Sequence, residues 1–168
     1  MNSDIYWIRE ENLGDCKLGT MARPRGNDWL EDEIKWMRIK GVDILVSLLE
    51  TIESNDLGLE NEELFCENKG IEFINFPIRD VQTPKNESDF CDLVNQLTNR
   101  IKAGKSVVIH CRMGIGRASI LAAAILMKFE FNSTDVFDII SKYRKLKVPD
   151  TDEQRNWLIS MENKLNQN

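Results

Sequence analysis

The stretch Ser106-Val107-Val108-Ile109-His110-Cys111-Arg112-Met113-Gly114-Ile115-Gly116-Arg117-Ala118-Ser119 decides how this chain is read. It predicts a buried strand ending at His110, a tight Gly-bearing loop, and a helix over residues 117–129. Loop N–H groups turned inward, together with the positive end of the helix dipole, make a cradle suited to a dianionic phosphate ester. The same field favours the thiolate of Cys111, which marks that residue as a nucleophile at neutral pH. Arg117 adds a planar fork that matches two phosphate oxygens. Between them Arg112, Met113, Gly114, Ile115 and Gly116 form the substrate cradle, the two glycines allowing the chain to turn and to approach the phosphate closely.

A thiolate that attacks a phosphate monoester also needs an acid to protonate the leaving oxygen. Working outward from the loop, the best candidate is Asp80. Residues 71–76 alternate partly between apolar and polar and lie between Gly70 and Pro77, so they predict a strand that empties into the loop Ile78-Arg79-Asp80-Val81-Gln82. Glu87 and Asp89 compete, but they fall on the next helix. Asp80 must be protonated for the first step.

The remaining elements follow from punctuation and period. Ile5 to Ile8 and Lys17 to Met21 suggest an edge hairpin, followed by a turn-rich loop in which Arg23 and Arg25 are either solvated or rim an anion pocket. Residues 29–40 have helical spacing and stop at Gly41. Residues 42–49 form a nearly continuous apolar run, as in a strand buried on both faces. Residues 50–61 are acidic and aperiodic and predict a loop, leading into a helix at Glu62 to Asn68. Thr83 is expected to cap a helix with Pro84 in its first turn, burying Phe90, Leu93, Val94, Leu97 and Ile101 and ending at Gly104. Two more helices start near Ser133 or Thr134 and near Thr151. The fold class expected is α/β: one domain over residues 1–168, with a mainly parallel central sheet flanked by helices. Ligands then bind at the carboxyl ends of the strands, where His110, Cys111 and the Asp80 loop lie.

Composition narrows the function. A net charge of −6 over 168 residues speaks against nucleic-acid partners. The longest apolar run, Ile120 to Met127, is far shorter than the roughly 20 residues that span a bilayer. No membrane anchor or secretory signal is evident, and a cytoplasmic location is expected. Cys16, Cys66, Cys91 and Cys111 match no disulfide framework or metal-site spacing and should be free thiols. With a single histidine in the chain, neither a metal nor a cofactor is expected.

His110-Cys111-Arg112-Met113-Gly114-Ile115-Gly116-Arg117 resembles the HCxxGxxR signature of the cysteine-dependent protein tyrosine phosphatases. Phe76-Pro77-Ile78-Arg79-Asp80 resembles the acid loop of their dual-specificity branch, and the likeness covers roughly residues 40–165. It implies a phosphocysteine mechanism with Cys111 as nucleophile, Arg117 as phosphate clamp and Asp80 as acid, acting on phosphorylated proteins. It also implies that His110 orients the loop and supports the thiolate. Taken alone, His110 reads as a hydrogen-bonded core residue. Asp150-Thr151-Asp152-Glu153-Gln154 resembles the segment where many relatives carry a glutamine near the site, so Gln154 is either a water-positioning residue or part of a helix surface.

One position departs from the pattern. Relatives usually carry Ser or Thr after the signature arginine, and here Ala118 stands in its place, as in the phosphatases of regenerating liver. That resemblance implies a long-lived phosphocysteine and slow turnover. Lipid phosphatases resembling this family carry Lys at the first and fourth loop positions, which here are Arg112 and Ile115. This tilts the reading towards phosphoprotein substrates, with a phosphoinositide, an RNA 5′ phosphate or a phosphatase-like binding module as alternatives. Rhodanese and arsenate-reductase chemistry fits less well. The oligomeric state is left open.

Overall fold

Val107, Val108, Ile109 and His110 form the strand expected of them, and the molecule is assembled around it. The computed structural model describes residues 2–167. Five strands occur among them: β1 (Tyr6–Ile8), β2 (Leu18–Met21), β3 (Ile44–Ser47), β4 (Glu72–Asn75) and β5 (Val107–His110). Their order in the sheet is β1-β2-β5-β3-β4. Strand β1 pairs antiparallel with β2, closing the expected hairpin, and all other pairings are parallel. In register, His110 lies opposite Met21 on one side and Ser47 on the other. The carboxyl end of β5 is thus at the middle of the sheet, where strands of this kind present ligands.

Alternation along β5 and β3 supplies both faces with apolar groups. Val107, Ile109, Ile44 and Val46 face one cluster, and Val108 and Leu45 face the other. The second face is covered by α1 (Leu30–Ile39) and α3 (Glu62–Asn68). The first is covered by α4 (Glu87–Lys102), α5 (Arg117–Met127), α6 (Val136–Arg144), α7 (Asp152–Ser160) and α8 (Glu162–Asn166). Helix α5 is buried along its whole length. Its sequence, apolar on every side and rich in Ala, is that of a helix enclosed by neighbours. Burial fixes the helix, and the helix fixes the loop that feeds it.

Three sequence expectations need correction. Residues 50–61 are not a loop throughout: α2 spans Thr51–Asp56, and the Glu50 N–H donates to Glu53 Oε2 at 3.0 Å. This helix buries none of its residues, so it carries no apolar period to detect. Helix α4 begins at Glu87, after Thr83 and Pro84 have passed in an irregular segment. Asn86 is its cap, with Oδ1 accepting the Asp89 N–H at 2.9 Å. An Asn cap followed by acidic residues outcompetes the Thr-Pro start. At the C-terminal end, α6 starts at Val136 after a turn, and the last helix breaks at Met161 into α7 and α8.

Candidate active site

Cys111 follows β5 directly and is 3% exposed. The loop beyond it is held from outside. The Arg23 N–H donates to the Arg112 carbonyl at 3.2 Å, and Arg144 of α6 donates to the carbonyls of Met113 at 2.8 Å and Gly114 at 3.3 Å. Arg144 itself stacks over the ring of Tyr6, 4.2 Å from its centroid. With the carbonyls engaged outside, the N–H groups of residues 113–116 donate to no acceptor among the described residues. They are left for an anion in the concave side of the loop.

Two glycines serve different purposes. Gly114 has φ +69°, and a Cβ there would also lie 2.5 Å from the Met21 backbone. Gly116 has an ordinary φ of −88°, so the turn does not require it. There a Cβ would lie 2.1 Å from Asp150 Oδ2 and 2.9 Å from Gln154 Nε2. Gly116 is needed for close approach, by a carboxylate and an amide arriving from the start of α7.

Arg117 is 1% exposed, and both terminal nitrogens of its fork are engaged. Nη1 donates to Glu53 Oε2 and to the Ile78 carbonyl, both at 2.8 Å, and Nη2 donates to Glu53 Oε1 at 3.0 Å. Asp80 Oδ1 lies 3.0 Å from Nη2. The loops that leave the ends of β4 and β5 therefore meet at one guanidinium. Burial disfavours the charge on Arg117, but Glu53, Cys111 and Asp80 outweigh it and hold the guanidinium firmly charged. For Glu53, burial acts to raise the carboxyl, and hydrogen bonds from Arg117 and the Glu50 N–H, with the charges of Arg117 and Arg112, prevail and bring it below its ordinary range. The Asp80 carboxylate also accepts the Val81 N–H at 3.0 Å while its side chain remains 48% exposed.

His110 is fully buried, with Nδ1 3.2 Å from the Cys111 carbonyl and Nε2 2.9 Å from Glu62 Oε1. The Nε2 contact is a close ion pair without the alignment of a hydrogen bond, and both Glu62 oxygens are otherwise without hydrogen-bond partners. Burial works against the imidazolium. The charge and close contact of Glu62, with the Cys111 carbonyl, overcome burial and the opposing charge of Arg117, raising the imidazole above its ordinary value.

Gln154 is fully buried, and both ends of its amide are engaged: Oε1 accepts the Asp150 N–H and Nε2 donates to the Gln82 carbonyl, each at 3.1 Å. It braces the loop after β4 against the start of α7. Ala118 is fully buried, and the Ser119 hydroxyl, one residue on, has no hydrogen-bond partner. Arg25 forms an ion pair with buried Glu33 and stacks on Trp29, so of the two early arginines only Arg23 reaches the phosphate loop, through its backbone. All four cysteines are free.

The sequence reading missed Glu53, Glu62, Arg144 and Asp150. Glu53 had one signal, its spacing of three from Glu50 at a helix start. Arg144 was visible only as part of a basic run at the end of a helix.

A thiol at the end of the central parallel strand, a loop with free N–H groups and a buried arginine fork define a cysteine-based oxyanion site on an α/β scaffold. The chain belongs to the dual specificity phosphatases: residues 33–164 match the catalytic domain of that family. It is 34% identical over 128 residues to 197R of Invertebrate iridescent virus 6, a protein with a provisional tyrosine-phosphatase designation. That match covers 67% of this chain and 45% of the viral protein, so the chain spans less than half of its relative's length. Among solved structures, kinase associated phosphatase, in a form with its catalytic cysteine replaced by serine, superposes with a TM-score of 0.89 at 21% identity, covering 100% of this chain and 98% of that one. PTPMT1 in complex with PI(5)P superposes with a TM-score of 0.74 at 16% identity, covering 96% and 97%. In both the fold is shared.

Proposed function

We propose that the protein hydrolyses phosphomonoesters through a phosphocysteine on Cys111, acting on phosphotyrosine, with phosphoserine and phosphothreonine as further substrates, in proteins. The observation that carries this reading is the 3.0 Å contact between Asp80 and the Arg117 fork. It joins a proton donor on one loop to a phosphate clamp on another. In the first step the Cys111 thiolate attacks phosphorus and the Asp80 carboxyl protonates the leaving oxygen, while Arg117 and the loop N–H groups balance the equatorial charge. In the second, water splits the S–P bond and releases phosphate. His110 holds the Cys111 carbonyl and so the start of the loop, and Gln154 holds the acid loop to α7.

Substrate shape favours a protein surface. Met113 of the loop after Cys111 and Val81 beside Asp80 are exposed at 59% and 47%, apolar side chains that a protein substrate could cover. A cleft of about 1140 Å³ lies beside β1 among Trp7, Trp36 and Lys40, and neither Cys111, Arg117 nor Asp80 lines it. Four free thiols are in keeping with a reducing, cytoplasmic setting. The buried Ala118 offers no hydroxyl to the thiolate, which supports slow turnover.

The test is a panel of phosphotyrosine, phosphoserine and phosphothreonine peptides, a phosphoinositide and an RNA 5′ phosphate, run with the intact chain and with Cys111→Ser. Release of phosphate from the peptides, lost in Cys111→Ser, is expected. Release from the phosphoinositide or RNA alone would move the substrate class, and no release from any would overturn the enzyme reading in favour of phosphate capture.

A further inference from the structure

Outside the groups used above, one carboxylate abuts the loop between Cys111 and Arg117. Asp150 is exposed as a residue, yet its Oδ2 is pressed against the loop where a Gly116 Cβ would stand, one residue before Arg117. Its backbone N–H is anchored to Gln154 Oε1, and Thr151 next to it caps α7 by accepting the Gln154 N–H at 3.1 Å. The backbone is therefore fixed while the carboxylate has no hydrogen-bond partner among the described residues. Asp80 differs: its Oδ1 is committed to Arg117 and to the Val81 N–H. Gln154, for which positioning water is one of two readings of the sequence, has both ends of its amide occupied.

We propose that Asp150 is a second proton-handling residue, which holds the water that attacks the phosphocysteine and takes its proton. This rests on the phosphocysteine reading. Attack in line with the S–P bond brings water in from the mouth of the loop, where the leaving group departed and where Asp150 and Asp80 flank Arg117. The oxygen–phosphorus bond forms as the S–P bond breaks. The S–P electron pair returns to Cys111 as thiolate, and the water proton passes to the Asp150 carboxylate and then to solvent. Burial against the loop, then the charge of Asp80, raise the Asp150 carboxyl above its ordinary value, with Arg117 opposing. A carboxylate so shifted accepts a proton more readily near neutral pH. Lys147, Asp152 and Arg155 line the cavity of about 500 Å³ on its outer side and add charges of both signs.

The experiment follows phosphoenzyme formation and breakdown separately by rapid quench with a ³²P-labelled phosphotyrosine peptide, in the intact chain, Asp150→Asn and Asp150→Ser. The expected result is breakdown slowed about a hundredfold or more, the range in which a lost proton acceptor acts, and formation slowed less than about threefold. The rise of breakdown with pH through the carboxylate range should also flatten in both variants. Breakdown unchanged, or both steps slowed alike, would overturn the role of Asp150 while leaving the phosphatase reading intact. No Cys111-dependent phosphoenzyme in the intact chain would overturn that reading and this inference together.

Discussion

Ala118, buried in the first turn of α5 directly after Arg117, carries no hydroxyl to offer the thiol, and the neighbouring hydroxyl makes no hydrogen bond that would replace one. Ser119 Oγ is enclosed without a hydrogen-bond partner, one residue further round the helix. On the phosphocysteine path proposed above, the sulfur leaves as an anion, and its stabilisation would come from the loop amides and the end of α5. A hydrogen bond to a charged group contributes about 1.5 to 3 kcal/mol. By transition-state arithmetic that is on the order of tenfold or more in rate. Ala118→Ser should therefore raise the steady-state rate by about tenfold or more, with the gain confined to phosphocysteine breakdown. Rapid-quench measurement of the two half-reactions checks this, and a gain confined to phosphoenzyme formation would refute the account.

The elements that build the site differ in how clearly the sequence announces them. Strand β5, its loop and α5 were legible because they combine a continuous apolar run, glycines and an arginine in one contiguous stretch. Asp80 was legible because a strand and a proline precede it. Helix α2 was not, since it is short, acidic and solvated, with Ile52 75% exposed, and its role lies in what Glu53 reaches across space. The same holds for Glu62 and Arg144, whose partners are 48 and 31 positions away or nearly so in the chain. Glu53 caps its own helix and holds both ends of the Arg117 fork, so one carboxylate fixes the orientation of the guanidinium proposed to clamp phosphate. Glu53→Gln has opposing effects: it removes a negative charge near the anion site, and it replaces an acceptor oxygen with an amide NH₂ that faces the guanidinium. Orientation should dominate, because small misplacements of catalytic groups cost up to about a hundredfold. A fall in kcat/KM of about ten- to a hundredfold is expected, with the affinity for inorganic phosphate also reduced. Steady-state kinetics and phosphate inhibition would test it, and tighter phosphate binding would show that charge prevails instead.

Across the whole molecule, the sheet places a charged pair where water does not reach, between α3 on one face and the end of β5 in the centre. His110 and Glu62 are both essentially unexposed, and the pair ties the α3 side of the protein to the residue that precedes Cys111. The raised imidazole sets the sign of its contribution to stability. An unfolded histidine titrates near pH 6.5, roughly its ordinary value. Below that pH both states bind the proton and the contribution of the pair is fully present. As pH rises towards and through the higher folded value, the folded protein gives up its proton and the contribution is lost, leaving a buried carboxylate without its counter-charge. Glu53, lowered in the folded state, acts at the other end of the scale: its contribution is present above the ordinary carboxyl range and is lost as pH falls through its folded value. Stability should therefore decline on both sides of neutral, with His110 responsible for part of the alkaline limb. As the chain has one histidine, a single imidazole resonance reports it in an NMR titration. Its midpoint should lie above about 6.5 in the intact chain and fall below that value in Glu62→Gln, where the charge that supports the imidazolium is gone. Urea denaturation from pH 6 to about pH 9 should show a stability loss in the intact chain that is diminished in the variant. A midpoint below 6.5 in the intact chain would mean that burial, not Glu62, governs His110, and the loop would then be held by a neutral imidazole.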